Sequence, residues 1–218
     1  MGAKTSLPIA AAAVTLLSSA AAAIADEGPL EVRVRADYLD LANKSDAFSP
    51  LGIPEDAIHV NGKWLPDVDF EYFFTQHWSS ELILTYPQVQ QVTVEKSALG
   101  GPTPIGSFRH LPPVLTVKYN ILPESDIRPY IGAGVNITLI YDDDLAVPTV
   151  GRLDLNHVSV GPALQGGLDW KVAPNWFLNA DLKWALLRSD VKFQGTKISE
   201  AKLDPLLFGI GVGYRFGR

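Results

Sequence analysis

Apolar and polar residues alternate with a period of two in eight stretches of this chain, the pattern of strands whose two faces meet different surroundings. The last stretch shows it most plainly. In residues 206–216, Leu206, Phe208, Ile210, Val212, Tyr214 and Phe216 share one side, while the other carries Leu207, three glycines and Arg215. An apolar side backed by glycine suits a strand with lipid outside and a crowded barrel lumen inside. Taken alone, the run also fits a sandwich core, so the rest of the chain must repeat it.

It does. The other stretches are 30–41, 64–74, 78–86 (with an option to run past Pro87 to Val94), 109–120, 128–141, 156–172 and 176–187. Their connections alternate long and short: 42–63, 75–77, 95–108, 121–127, 142–155, 173–175 and 188–205. Short periplasmic turns against long external loops are the asymmetry of a bacterial outer-membrane barrel. Aromatic residues point the same way. Phe74, Trp78, Tyr119, Tyr130, Trp170, Trp176, Tyr214 and Phe216 gather toward the short turns, and Trp64, Tyr86, Tyr141 and Trp184 toward the long loops. Two aromatic belts around an aliphatic band mark a membrane-spanning wall. The expected fold is therefore all-β: an eight-stranded antiparallel transmembrane β-barrel.

The N-terminus and the composition narrow the setting. Lys4 precedes an apolar run from Leu7 to Leu17, and Ala23-Ile24-Ala25 closes it, which predicts a signal peptide over residues 1–25 and a barrel over 26–218. No later run reaches the about 18 apolar residues that a membrane helix requires. Export then leads to the bacterial outer membrane, with lipid, lipopolysaccharide and the outer-membrane assembly machinery as expected partners. A net charge of −6 and the lack of any basic, aromatic-interleaved run argue against nucleic acid. The chain has no cysteine, which removes disulfides, thiolate metal sites and a thiol nucleophile.

Three ordered motifs carry a resemblance: Ile105-Gly106-Ser107-Phe108-Arg109-His110-Leu111-Pro112-Pro113, Arg128-Pro129-Tyr130-Ile131-Gly132-Ala133-Gly134-Val135-Asn136, and Leu203-Asp204-Pro205. The sequence resembles the OmpW family of outer-membrane proteins, which includes the AlkL alkane-uptake proteins. The likeness covers essentially the whole mature chain, although Gly217 and Arg218 follow the final aromatic where the family usually ends. It implies an eight-stranded barrel that admits small hydrophobic molecules.

The inward-facing residues give an independent argument. Eight strands enclose just enough room for side chains, so a wide aqueous pore is excluded. Toward the periplasmic end lie Glu31, Arg33, Arg35, Asp69, Glu71, Glu81, Lys118, Arg128, Asp169, Lys171, Asp181 and Arg215, in nearly balanced signs. Unpaired charges there would cost several kcal/mol each, which predicts a salt-bridged polar plug. Toward the loops the inward residues are apolar, with Leu39, Leu65, Val114, Ile140, Leu187 and Leu207 above Ile83. Such a cup could hold a small hydrophobic ligand, or it could simply be packing. If the floor is closed, a ligand must leave sideways. Proline weakens strand pairing, so Pro112 and Pro113 are the candidate lateral exit, with strand bending as the plainer alternative.

Other chemistries find little support. His59, His77, His110 and His157 form no metal spacing, and no metal or cofactor is expected. Ser107 with His110, or Ser159 with His157, could pair as nucleophile and base, but neither has an orienting acid or oxyanion hole, so no enzyme is expected. Asp142-Asp143-Asp144 could bind a divalent cation bridging lipopolysaccharide, although short acidic runs in loops are usually only solvated. The main rival to transport is a structural barrel, or a surface receptor whose loops dock phage, bacteriocin or host.

Overall fold

The computed structural model describes residues 27–48, 52–97, 100–147 and 151–217; the expected signal peptide lies outside them. The strands in chain order are β1 (Leu30–Asp40), β2 (Lys44–Ser45), β3 (Ile58–Val60), β4 (Lys63–Phe73) and β5 (Trp78–Thr85). Next come β6 (Gln88–Val94), β7 (Thr103–Leu111), β8 (Val114–Asn120), β9 (Ile127–Val147) and β10 (Gly151–Leu155). The last are β11 (Val158–Ala173), β12 (Trp176–Ala185), β13 (Arg188–Phe193), β14 (Thr196–Lys202) and β15 (Leu206–Phe216).

Eight of these form the wall, in the order β11-β12-β15-β1-β4-β5-β8-β9, and antiparallel pairing of β9 with β11 closes the ring. Closure leaves the membrane-spanning wall without a free edge, as a bilayer demands. The predicted alternation fixes which side faces in. Val34, Ile131, Val160 and Ile210 are each more than half exposed on the outside, while their neighbours in sequence turn into the lumen. Trp78 packs on Tyr119 and Trp176 on Tyr214 at the periplasmic rim, and Tyr38 on Trp64 at the opposite rim. Tyr130 does not belong to the belt in which the sequence pattern placed it. Its ring is buried in the lumen, where its hydroxyl donates to Asp181 Oδ2 at 2.6 Å.

The glycines that open one side of β15 have a steric cause. A Cβ built on Gly211 would lie 2.4 Å from the Arg35 Cγ and 2.4 Å from the Val34 carbonyl oxygen. On Gly213 it would lie 2.8 Å from Arg33 Cγ. The two arginines of β1 lie flat across a wall that has no side chains there.

The long connections differ from the expected loops. Segments 42–63, 95–108, 142–155 and 188–205 all contribute strands, and together they raise the barrel above the membrane band. At roughly 3.3 Å per residue, β9 is about 70 Å long, about twice what a tilted span of about ten residues needs. Asp142 to Asp144 lie inside this strand and not in a loop. The left-handed φ of 49° at Asp142 marks an irregularity there, and the β7–β9 register shifts between Ser107 and Arg109. β13 and β14 form a hairpin whose turn, Gln194-Gly195, takes positive φ at both residues, as a tight two-residue turn requires.

Proline breaks one stretch expected to be continuous and the optional extension of another. The stretch that begins at Trp78 stops at Thr85 and resumes as β6 at Gln88, and residues 109–120 divide at Pro112-Pro113 into β7 and β8.

Candidate functional site

The lumen is sealed from the periplasmic side by side chains of opposite charge. Arg33 Nε donates to Glu31 Oε1 at 2.8 Å, and its guanidinium also pairs with Glu71 and reaches Asp69, Glu81 and Asp169. Arg35 Nη2 lies 2.6 Å from Asp69 Oδ2 and donates to Glu81 Oε1 at 3.0 Å. Lys118 Nζ donates to Glu71 Oε2 at 2.8 Å and sits 3.7 Å from the centre of the Tyr130 ring. Lys183 Nζ lies 2.7 Å from Asp181 Oδ1. Arg33, Asp69, Glu71, Glu81 and Lys118 are all fully buried.

The signs in this layer are not balanced, contrary to the sequence expectation. Glu31, Asp37, Asp67, Asp69, Glu71, Glu81, Asp169 and Asp181 share it with Arg33, Arg35, Lys118 and Lys183. Asp37, Asp67 and Lys183 were legible as inward-facing positions but lie nearer the apolar end, so the sign count passed over them.

Arg128, Lys171 and Arg215, expected within the plug, belong to a separate clamp at its base. Arg128 donates to both oxygens of Glu27, at 2.6 and 2.9 Å. Lys171 Nζ donates to Glu27 Oε1 at 2.6 Å, and Arg215 Nη1 to Oε2 at 3.2 Å. Burial alone would raise the Glu27 pKa, but the hydrogen bonds from Arg128 and Lys171 outweigh it and hold the carboxyl down at about 2. Glu27 was missed in the sequence because it lies ahead of the first alternating stretch.

Above the plug lies a chamber of about 690 Å³ of empty space, open in part to solvent. Leu39, Leu65, Ile83, Val114, Leu187 and Leu207 line it, with Pro112 beside them. Asp67, Thr116, Gln165 and Lys183 also border it and connect it to the plug. Six of the seven apolar residues named from the sequence thus meet around one space.

The seventh, Ile140, lines a second chamber of about 770 Å³ with residues such as Val60, Val92, Phe108, Val147 and Leu153. The two spaces share no lining residue. One packed cluster containing Leu39, Phe108, Ile140 and Leu187 spans both. The upper chamber was not foreseen, because its walls come from segments read as loops. The alternation of Val92 with Val94, and of Ile58 with Val60, was the available signal.

The wall of the lower chamber is interrupted on one side. β5 pairs with β8 only as far as Ile83↔Val114, and the β6–β7 ladder begins at Gln88↔His110. Between those pairs, Leu84–Pro87 and Leu111–Pro113 have no register partners across the seam. The other flank is intact, since Ile137 N–H donates to the Pro113 carbonyl at 3.0 Å. Thr85, Gln88, His110 and Pro112 line the chamber at this seam.

The remaining candidates are engaged elsewhere. Leu155 N–H donates to Asp143 Oδ2 at 2.7 Å, and Asp142 lies 3.6 Å from Arg109. Ser159 Oγ accepts from the Arg188 N–H at 3.2 Å, and the His110 ring contacts Gln90, not Ser107. Glu31, Glu71 and Asp169 cluster closely enough to suggest a cation site, but Arg33 already supplies their positive charge.

Comparison with known proteins settles the family, because the OmpW family model matches residues 26–216. The chain belongs to the OmpW family. Its relatives include the uncharacterized outer-membrane protein y4mB of Sinorhizobium fredii, 36% identical over 94% of this chain and 90% of that protein. The dibenzothiophene metabolism operon protein PahQ of Pseudomonas aeruginosa is 33% identical over 68% of this chain and 69% of its own length. The crystal structure of OprG from Pseudomonas aeruginosa superimposes with a TM-score of 0.74 at 23% identity, covering 88% of this chain and 98% of that one. Like other members of the OmpW family, this protein is an outer-membrane β-barrel and not an enzyme.

Proposed function

We propose that this OmpW-family barrel carries small hydrophobic molecules through the outer membrane. The observation that supports it best is the vertical order of the lumen: two apolar chambers stacked over a closed, ion-paired floor. Ions meet a desolvated layer whose carboxylates are bridged by Arg33, Arg35, Lys118 and Lys183, so the floor does not conduct them. An apolar molecule, by contrast, loses water-exposed surface as it enters each chamber, at about 25 cal/mol per Å² buried.

A closed floor sends the ligand sideways. The seam between Ile83↔Val114 and Gln88↔His110 is where the lower chamber meets unpaired wall, and Pro112 and Pro113 keep one side of it from forming a ladder. On this reading the seam is the lateral exit into the bilayer. The name of PahQ, which places that relative in a dibenzothiophene operon, supports an apolar aromatic as one cargo. Removal of residues 1–25 on export, lipopolysaccharide around the outer leaflet and delivery by the assembly machinery complete the proposal.

The test is uptake of a radiolabelled medium-chain alkane or small aromatic into cells with intact outer membranes, with and without the protein and with Ile83→Lys. A folded barrel is recognised by its heat-modifiable electrophoretic mobility. Faster uptake that Ile83→Lys abolishes supports an apolar passage. Uptake unchanged by the protein across several ligands returns the loops to a receptor role, or the barrel to a structural one.

A further inference from the structure

The seam of the lower chamber carries two buried polar atoms that no protein group satisfies. Gln88 is fully buried and His110 is 4% exposed; they are direct cross-strand partners on β6 and β7, and both line the chamber. Gln88 Nε2 donates to the Tyr86 carbonyl at 2.9 Å and lies 3.5 Å from Thr85 Oγ1, which identifies the nitrogen and leaves Oε1 as an acceptor without a donor. His110 Nε2 lies 3.2 Å from Gln90 Nε2. In this orientation of the Gln90 amide its nitrogen donates, so the imidazole nitrogen facing it accepts, and the proton of the neutral ring sits on Nδ1. Nδ1 has no partner.

A donor and an acceptor without protein partners thus sit on two directly paired residues. Buried polar groups left unpaired cost about 1–3 kcal/mol each, and directly paired residues hold their Cβ atoms about 5 Å apart, within reach of one small group. A carbonyl, an ether or a carboxylate could accept from Nδ1–H, but none of them could donate to Gln88 Oε1. A hydroxyl does both. We propose that the lower chamber selects hydrophobic molecules that bear one hydroxyl group, aliphatic alcohols or phenols, and that Gln88 and His110 are the residues that read it. The apolar body of such a molecule lies against Leu39, Leu65, Ile83 and Val114, with its hydroxyl at the seam. The ligand is thus oriented head-first toward the break in the wall. This rests on the transport reading above and adds the substrate class.

The experiment compares uptake of decanol, its methyl ether and decane by cells with and without the protein, and repeats it with Gln88→Leu and His110→Leu, singly and together. Decanol and its ether both accept a hydrogen bond, and only decanol donates one. The protein-dependent uptake of decanol is expected to exceed that of the ether by roughly fivefold, the worth of one net hydrogen bond. The double variant should bring the uptake of decanol and of its ether together. The wild-type ratio is a test in itself, so the inference stands or falls even where a variant does not fold. Equal protein-dependent uptake of decanol and ether, or a preference that survives the folded double variant, overturns the hydroxyl assignment and leaves transport intact. Absence of protein-dependent uptake for all three overturns both.

Discussion

Gln165 Nε2 donates to Glu81 Oε2 at 2.7 Å, although β11 and β5 stand three strands apart around the ring. The bridge passes over Gly132 on β9, where an added Cβ would lie 2.8 Å from Gln165 Cγ, and it is shared with Thr116 Oγ1 at 3.0 Å. A glycine on one strand thus makes room for a crossing from another. Gly132→Ala should destabilise the barrel in the wild-type background and much less in Gln165→Ala, because the clash and the lost bridge are one event. Urea midpoints for both single variants and the double variant give the coupling. Additive effects would mean that the glycine serves some other purpose.

Arg33 is the counter-charge for several carboxylates at once. Its removal leaves the oxygens of Glu31, Glu71 and Asp169, all within 4.8 Å of one another, without their shared cation. Arg33→Met should cost about 3–5 kcal/mol, the usual penalty for breaking a buried ion pair from one side. Neutralising an acid in a layer with surplus acids should cost less, so Glu71→Gln combined with Arg33→Met should recover part of the loss. Equilibrium unfolding in lipid or detergent reads both.

These features divide sharply in how readable they were. Alternation of apolar and polar positions located all eight wall strands, because each wall residue meets either lipid or lumen and its chemistry follows. The same logic named Leu39, Leu65, Ile83, Val114, Leu187 and Leu207, which line one chamber. Lateral detail was harder. Tyr130 has a belt residue's chemistry but an inward register, and only its bond to Asp181 explains it. The strands above the membrane band are short, and several depend on partners far away in sequence, as Ile58↔Val94 and Ala201↔Ser45 show. Locally they show only brief alternation, such as Ile58 with Val60 and Val92 with Val94. The proposed pairing of Gln88 and His110 was hidden for a related reason: they meet only as the first partners of the β6–β7 ladder, at the edge of the seam.

Pro112 and Pro113 bear on that seam directly. Pro112 lacks the N–H that a ladder with Leu84–Pro87 would need, whereas Pro113 turns its carbonyl to the opposite flank, toward Ile137. Pro112→Val supplies the missing donor at the seam, and Pro113→Val beside it frees the strand from the second proline ring. The prediction is a barrel of equal or greater stability with protein-dependent uptake reduced several-fold. Unchanged uptake by the folded variant would remove the lateral exit and leave the prolines as strand benders.

The Glu27 clamp predicts a pH dependence. Its carboxyl, at about 2 in the folded barrel against an ordinary 4.5, contributes stability that is fully present above 4.5 and lost as the pH falls through 2. Protonation of Glu27 removes the anion that Arg128, Lys171 and Arg215 share at the base of the barrel. Glu27→Gln should therefore lower the urea midpoint at neutral pH, and the gap to wild type should close as the pH drops from about 5 toward 2. Because Glu27 is partly exposed, the effect should also shrink with added salt. A gap that stays constant across this range would show that Glu27 acts through packing and not through its charge.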